Sequence, residues 1–126
     1  MIKLIDANVI LRYLLRDHPQ MSEEAKKVIE EGAFTLPEVL ADVVYVLKGV
    51  YQVERTEMAK TLVEFLDEVN IDNQEVICEA LTLYGKTSLD YVDCVLIARC
   101  GILGDEIISF DKKLNKMLQN QNITEG

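Results

Sequence analysis

The sequence predicts an α/β protein whose parallel sheet is covered by helices on both faces, and three observations carry that expectation. Short apolar runs alternate along the chain with longer stretches whose apolar residues recur at the helical period. Helical stretches outnumber strand-like runs, as they do where each strand returns to a parallel sheet through a helix. Only 6 Gly and 2 Pro are available for turns in 126 residues, which disfavours a many-stranded all-β architecture. The length suits a single domain over residues 1–126, long enough to bury one sizeable core, and no repeat, linker or low-complexity segment divides it.

The chain opens with the apolar run Ile2-Lys3-Leu4-Ile5, which stops at Asp6 and gives way to Val9, Ile10, Tyr13 and Leu14 at helical spacing, so a buried strand leads into a helix. Ser22, followed by Glu23 and Glu24, is expected to cap a second helix that runs through Ala25, Val28 and Ile29 and stops at Gly32. Ala33-Phe34-Thr35-Leu36 reads as the second strand. Pro37 suits the first turn of a long helix, in which Val39, Leu40, Val43, Val44, Leu47 and Val50 keep the helical period. Thr56 is expected to cap the next helix, with Met58, Leu62, Phe65 and Leu66 on one face, and a brief strand follows near Val69 to Asp72. Residues 74–84 form a further helix with Gly85 as its stop, and Thr87 or Ser88 opens another through Val92, Val95 and Leu96. Glu106-Ile107-Ile108-Ser109-Phe110 reads as a closing strand that ends at Asp111. Leu114, Met117 and Leu118 mark a terminal helix, and residues 119–126 are polar enough to fray.

Composition limits the function. With 13 Lys and Arg against 22 Asp and Glu, a net charge of -9 argues against a broad basic surface for nucleic acid, so any such role works through a local site. No apolar stretch approaches the roughly 18 residues of a membrane span, and Asp6 interrupts the only apolar run at the N-terminus, so neither a span nor a signal peptide is expected. Cys78, Cys94 and Cys100 lack a metal-binding spacing and lie in apolar helical patterns, which suits reduced core thiols in a cytoplasmic protein. His18, beside Pro19, is isolated and reads as a loop residue.

The acids carry the chemistry. Asp6 follows the first strand and Asp111 the last, at the carboxyl edge where open α/β sheets form their sites, so parallel neighbouring strands would bring both to one crevice. Asp42 and Asp93 lie inside helices that begin near that edge, each flanked by apolar residues and with no nearby base in sequence. Acids in apolar surroundings need compensation, and a divalent metal bound by carboxylate oxygens supplies it. Each acid also has a structural reading: Asp6 and Asp111 as helix caps, and Asp90 as the partner of Thr87 in a capping box.

Four segments carry a resemblance. Leu4-Ile5-Asp6-Ala7-Asn8-Val9-Ile10 resembles the opening strand and D-x-N turn of the PIN-domain ribonucleases. Residues 89–96, with Asp90 and Asp93, are similar to their acidic helix, and Ile108-Ser109-Phe110-Asp111-Lys112-Lys113-Leu114 is similar to their closing T/S-F-D-K turn. Residues 36–47 match the helix that reads A-E-V-x-x-V-L in that family. The resemblance covers nearly the whole chain. It implies a three-layer α/β/α sandwich with a central parallel sheet and a Mg²⁺ or Mn²⁺ site. It also implies cleavage of RNA and, at this length, a VapC-like toxin that forms a homodimer and is held by a cognate antitoxin protein. Carried over by position, Asp6, Asp93 and Asp111 fall on the metal-site acids, Asn8 on the residue that supports the first, and Ser109 on the hydroxyl position before the last. Asp42 falls where the family has Glu, and Glu38, one helical turn earlier, is the longer acid on the same face.

The mechanism so implied is metal-assisted hydrolysis of a phosphodiester bond by Asp6, Asp42, Asp93 and Asp111, with no protein nucleophile. Arg12, Arg16, Arg55, Lys112, Lys113 and Lys116 are either phosphate contacts or solvated surface charges. Two other readings compete. One is a catalytically weak or inactive module of the same fold that binds RNA or a partner. The other is a phosphoacceptor domain, which the lack of an early acid pair disfavours.

Overall fold

A computed structural model describes residues 2–125, with side chains through Asn120. The chain forms β1 (Lys3–Leu4), α1 (Ala7–Leu15), α2 (Pro19–Glu31), β2 (Ala33–Thr35), α3 (Pro37–Gly49), α4 (Arg55–Phe65), β3 (Asn70–Ile71), α5 (Gln74–Lys86), α6 (Tyr91–Leu103) and α7 (Lys112–Glu125). The three strands are parallel in the order β1-β2-β3, with Lys3 opposite Ala33 and Phe34 opposite Asn70. This is the α/β/α arrangement that the alternation of apolar periods predicts. Among the described residues no helix is long and apolar enough to cross a membrane.

One apolar core joins the strands to the helices. Ile10 and Leu11 of α1, Leu40, Val43 and Val44 of α3, Met58 and Leu62 of α4, and Ala80, Leu81 and Tyr84 of α5 are buried together with Tyr91, Cys94 and Ile97 of α6. At the carboxyl end of β1 the Ile5 N–H donates to the Phe34 carbonyl (2.9 Å) and the buried Thr35 hydroxyl donates to the Ile5 carbonyl (3.0 Å). The residue before Asp6 is thus fixed from two sides. None of the three cysteines is in a disulfide, and burial pushes the thiols of Cys78 and Cys94 up, as suits inert core groups.

Several helix ends differ from expectation. The second helix starts at Pro19 rather than after Ser22, because His18 Nδ1 accepts from the Met21 N–H (3.2 Å) and Pro19 supplies the first helical position. Ser22 instead donates its hydroxyl to the Arg12 carbonyl (2.7 Å), joining α2 to α1. Gly85 does not stop α5, which runs on to Lys86. A Cβ at Gly85 would stand 2.7 Å from that of Ala59, so the glycine serves the close approach of α4 to α5. Neither Thr56 nor Thr87 opens a helix: α4 starts at Arg55, and Thr87 is the C-cap residue of α5, its hydroxyl donating to the Leu83 carbonyl (2.8 Å). The terminal helix continues through Glu125 rather than fraying from residue 119, while Gly126 lies outside the described residues.

The closing strand expected at residues 106–110 does not form. Ile108 and Phe110 point to solvent, and local bonds replace a ladder: the Ser109 Oγ accepts from the Asp111 N–H (3.0 Å) and its carbonyl accepts from Asn115 Nδ2 (2.8 Å). Side-chain bonds of this kind offer the backbone an alternative to sheet pairing.

Arg55 is a structural residue rather than a phosphate contact. Its guanidinium stacks 3.7 Å from the centroid of the Tyr84 ring and donates to the carbonyls of Tyr84 (2.8 Å) and Leu89. Arg55→Leu leaves both carbonyls unpaired and is expected to cost about 2–4 kcal/mol in urea unfolding. Arg55→Lys recovers only part of it, because an ammonium lacks the planar fork.

Candidate active site

Each predicted site residue occupies a distinct structural position. Asp6 is the N-cap of α1 and accepts from the Val9 N–H at 3.1 Å, and Asp111 caps α7 by accepting from the Leu114 N–H at 2.8 Å. The capping reading therefore holds for both. The expectation that apolar sequence neighbours desolvate Asp42 does not: Val43 and Val44 turn into the core while Asp42 stands exposed on the outer face of α3, with exposed Glu38 one turn before it. Helical geometry separates residues that are adjacent in sequence. Asn8 is exposed and lines a groove between α1 and α2 with Arg12, Met21 and Glu24.

Three acids share one negative neighbourhood. Asp93, in the first turn of α6, is half-buried, and its carboxyl is held above the usual range first by desolvation and then by the charges of Asp90 and Asp111. Asp111 does not reach this place on a strand. The Lys113 ammonium donates to the Ser88 hydroxyl (2.7 Å), tethering the start of α7 to the loop before α6. Asp90, at the N-cap position of α6, makes no side-chain cap bond and instead accepts from the Tyr45 hydroxyl at 3.0 Å. Sequence reasoning missed both Tyr45 and the Lys113–Ser88 tether. The usable signal for Tyr45 was its position three residues after Asp42, on the same side of the helix.

Of the six predicted cations, Arg12 pairs with Asp17 (2.9 Å), Arg55 serves the fold, Lys113 holds Ser88, and Arg16, Lys112 and Lys116 are exposed. A cavity of about 560 Å³ between the end of α6 and α7 is lined by Cys100, Gly104, Asp105, Glu106, Ile107 and Asn115 among others, and none of the predicted site residues lines it.

The family model for the PIN domain matches residues 3–118, nearly the whole chain. The chain belongs to the PIN domain family. No curated protein and no solved structure gives a significant match to it. PIN domains are generally nucleases and usually use divalent metals. The donor chemistry here suits a hard cation, since Asp90, Asp93 and Asp111 offer only oxygen and repel one another. The spacing does not match: among the described residues no three His, Cys, Asp or Glu side chains stand together closely enough to hold a metal ion.

The raised Asp93 carboxyl has a sign that can be checked. The folded state holds this proton more readily than the unfolded chain, so the associated stability is fully present below the unfolded value of 3.8 and is lost as pH rises through the higher folded value. Asp93→Asn is therefore expected to raise the metal-free melting temperature at pH 7, with the gain vanishing near pH 3.

Proposed function

We propose that this PIN domain is an endoribonuclease that hydrolyses RNA phosphodiester bonds with Mg²⁺ or Mn²⁺, its acid set being Asp6, Asp42, Asp93 and Asp111 and its supporting residues Asn8, Ser109, Asp90 and Glu38. The observation that carries this reading is half-buried Asp93 in the first turn of α6, one helical turn after Asp90, where the charges of Asp90 and Asp111 both act on it and no basic group is among the charges that shift it. Carboxylates held together against their own repulsion are what a divalent cation neutralises, and such a cation lets a polyanion approach a chain of charge -9. Family membership supports the further reading of a cytoplasmic VapC-like toxin, homodimeric and silenced by a cognate antitoxin. Ser109 supports the site through the backbone, since its hydroxyl accepts from the N–H of Asp111.

Cleavage of an RNA oligonucleotide that requires Mn²⁺ and is abolished in Asp93→Asn is the expected result. Millimolar Mn²⁺ should also raise the melting temperature of the wild type, by about 2.7 kcal/mol of stability at a hundredfold excess over Kd. The spacing of the acids favours one alternative, a PIN fold that binds RNA or a partner without turnover. RNA binding that survives Asp93→Asn, with no cleavage by the wild type, would decide for it.

Asp42 tests the assignment from another side. Asp is one methylene shorter than the Glu of the family pattern, about 1.5 Å of reach. Asp42→Glu is expected to keep the fold and to increase Mn²⁺-dependent cleavage, Asp42→Ala to lower it, and Glu38→Ala to matter less than either. If Asp42→Glu lowered activity while Glu38→Ala abolished it, the site would be built around Glu38.

A further inference from the structure

An acid at the N-cap position ordinarily turns its carboxylate back to accept from the N–H groups of the first turn. Asp6 and Asp111 do this, but Asp90 does not. At α6 the carboxylate is held instead from another helix. The hydroxyl of Tyr45, on α3, donates its proton to Asp90 Oδ2 at 3.0 Å. The Asp90 carboxylate thus stays beside Asp93, one helical turn on, whose charge it opposes. A lysine or arginine at this position would also hold Asp90, but it would cancel the charge that the site collects. A phenol holds the carboxylate without cancelling it. Desolvation, then the bond to Asp90, push the Tyr45 phenol above its ordinary value, so it remains a donor at neutral pH.

The same bond joins two helices that each carry a site acid. Asp42 lies three residues before Tyr45 on α3, and Asp93 three residues after Asp90 on α6. Elsewhere the contact between α3 and α6 is sparse, and α6 packs mainly on α5 and α7. The relative placement of Asp42 and Asp93 therefore depends on few interactions, the Tyr45–Asp90 bond among them.

We propose that Tyr45 is a positioning residue of the acid site: its hydroxyl holds the Asp90 carboxylate beside Asp93 and ties the helix bearing Asp42 to the helix bearing Asp93. The proposal rests on the nuclease reading above. It concerns the hydroxyl alone, so Tyr45→Phe, which keeps the ring, is the informative variant.

The experiment is a double-mutant cycle on wild type, Tyr45→Phe, Asp90→Ala and the double variant. It measures kcat and KM on an RNA oligonucleotide with Mn²⁺, together with amide hydrogen exchange in the metal-free proteins at Cys94, whose N–H donates to the Asp90 carbonyl (3.1 Å). Tyr45→Phe is expected to lower kcat about tenfold while KM stays within about twofold, and to speed exchange at Cys94. In the Asp90→Ala background the same change should cost nothing further, because the hydroxyl then has no carboxylate to hold. A purely structural tyrosine would instead give additive losses in both backgrounds, and that result, or an unchanged kcat in Tyr45→Phe, would overturn the assignment. If the wild type cleaves no RNA while Cys94 is protected by the hydroxyl, the nuclease reading fails and takes the assignment with it. If the wild type cleaves and Cys94 exchanges equally fast with and without the hydroxyl, only the assignment fails.

Discussion

The guanidinium of Arg55 is the interaction on which the rest of the site's framework depends. It lies between the start of α4, the end of α5 and the segment that leads into α6, and its donors serve the carbonyls of Tyr84 and Leu89. Carbonyls at a helix end and in a buried turn have no partner within the helix, and a cation near a helix C-terminus also meets the favourable end of its dipole. Stacking on Tyr84 fixes the plane of the group, and Tyr84 in turn meets Tyr91 edge-on with ring centroids 6.1 Å apart. A charge placed among aromatic rings thus orients the first turn of α6, where Asp93 resides.

From there the order spreads outward through progressively more exposed contacts. Ser88, one residue before the clamped Leu89, receives the ammonium of Lys113 and so sets where α7 begins, and with it Asp111. Asp90, one residue after Leu89, receives the hydroxyl of Tyr45 and so connects to α3. The acids whose charges act on Asp93 are those tied to this short segment. Asp6 belongs to a different support, the carboxyl end of β1 held by Phe34 and Thr35, and Asp42 projects from α3 without a bond of its own to the group.

Much of this was legible in the sequence because it depends on local period. The three strands, the long helix opened by Pro37 and the stripe of Val76, Ile77, Ala80 and Leu81 lie where their spacing places them. Asp6 and Asp111 were legible as acids at element ends, whereas Asp93, expected inside a helix opened at Thr87 or Ser88, stands in the first turn of α6. What was not legible depends on tertiary partners. Arg55 and Lys113 look like any surface cation in one dimension, and only packing sends one inward and ties the other to Ser88. Residues 106–110 have the composition of a strand, yet the turn held by Ser109, Asp111 and Asn115 competes with pairing and prevails. His18 looked like a loop residue because an imidazole rarely announces itself as a cap.

The close approach at Gly85 carries a consequence for how this sequence can change over time. Its missing side chain and the single methyl of Ala59 together fill one gap between α4 and α5, at a point 26 positions apart along the chain (85 − 59). Neither position can drift alone toward a larger residue without prising apart the helices that Arg55 and Tyr84 bridge. The two behave as one unit of inheritance, and a lineage that enlarges one is constrained to shrink the other or to move the whole edge from which α6 begins.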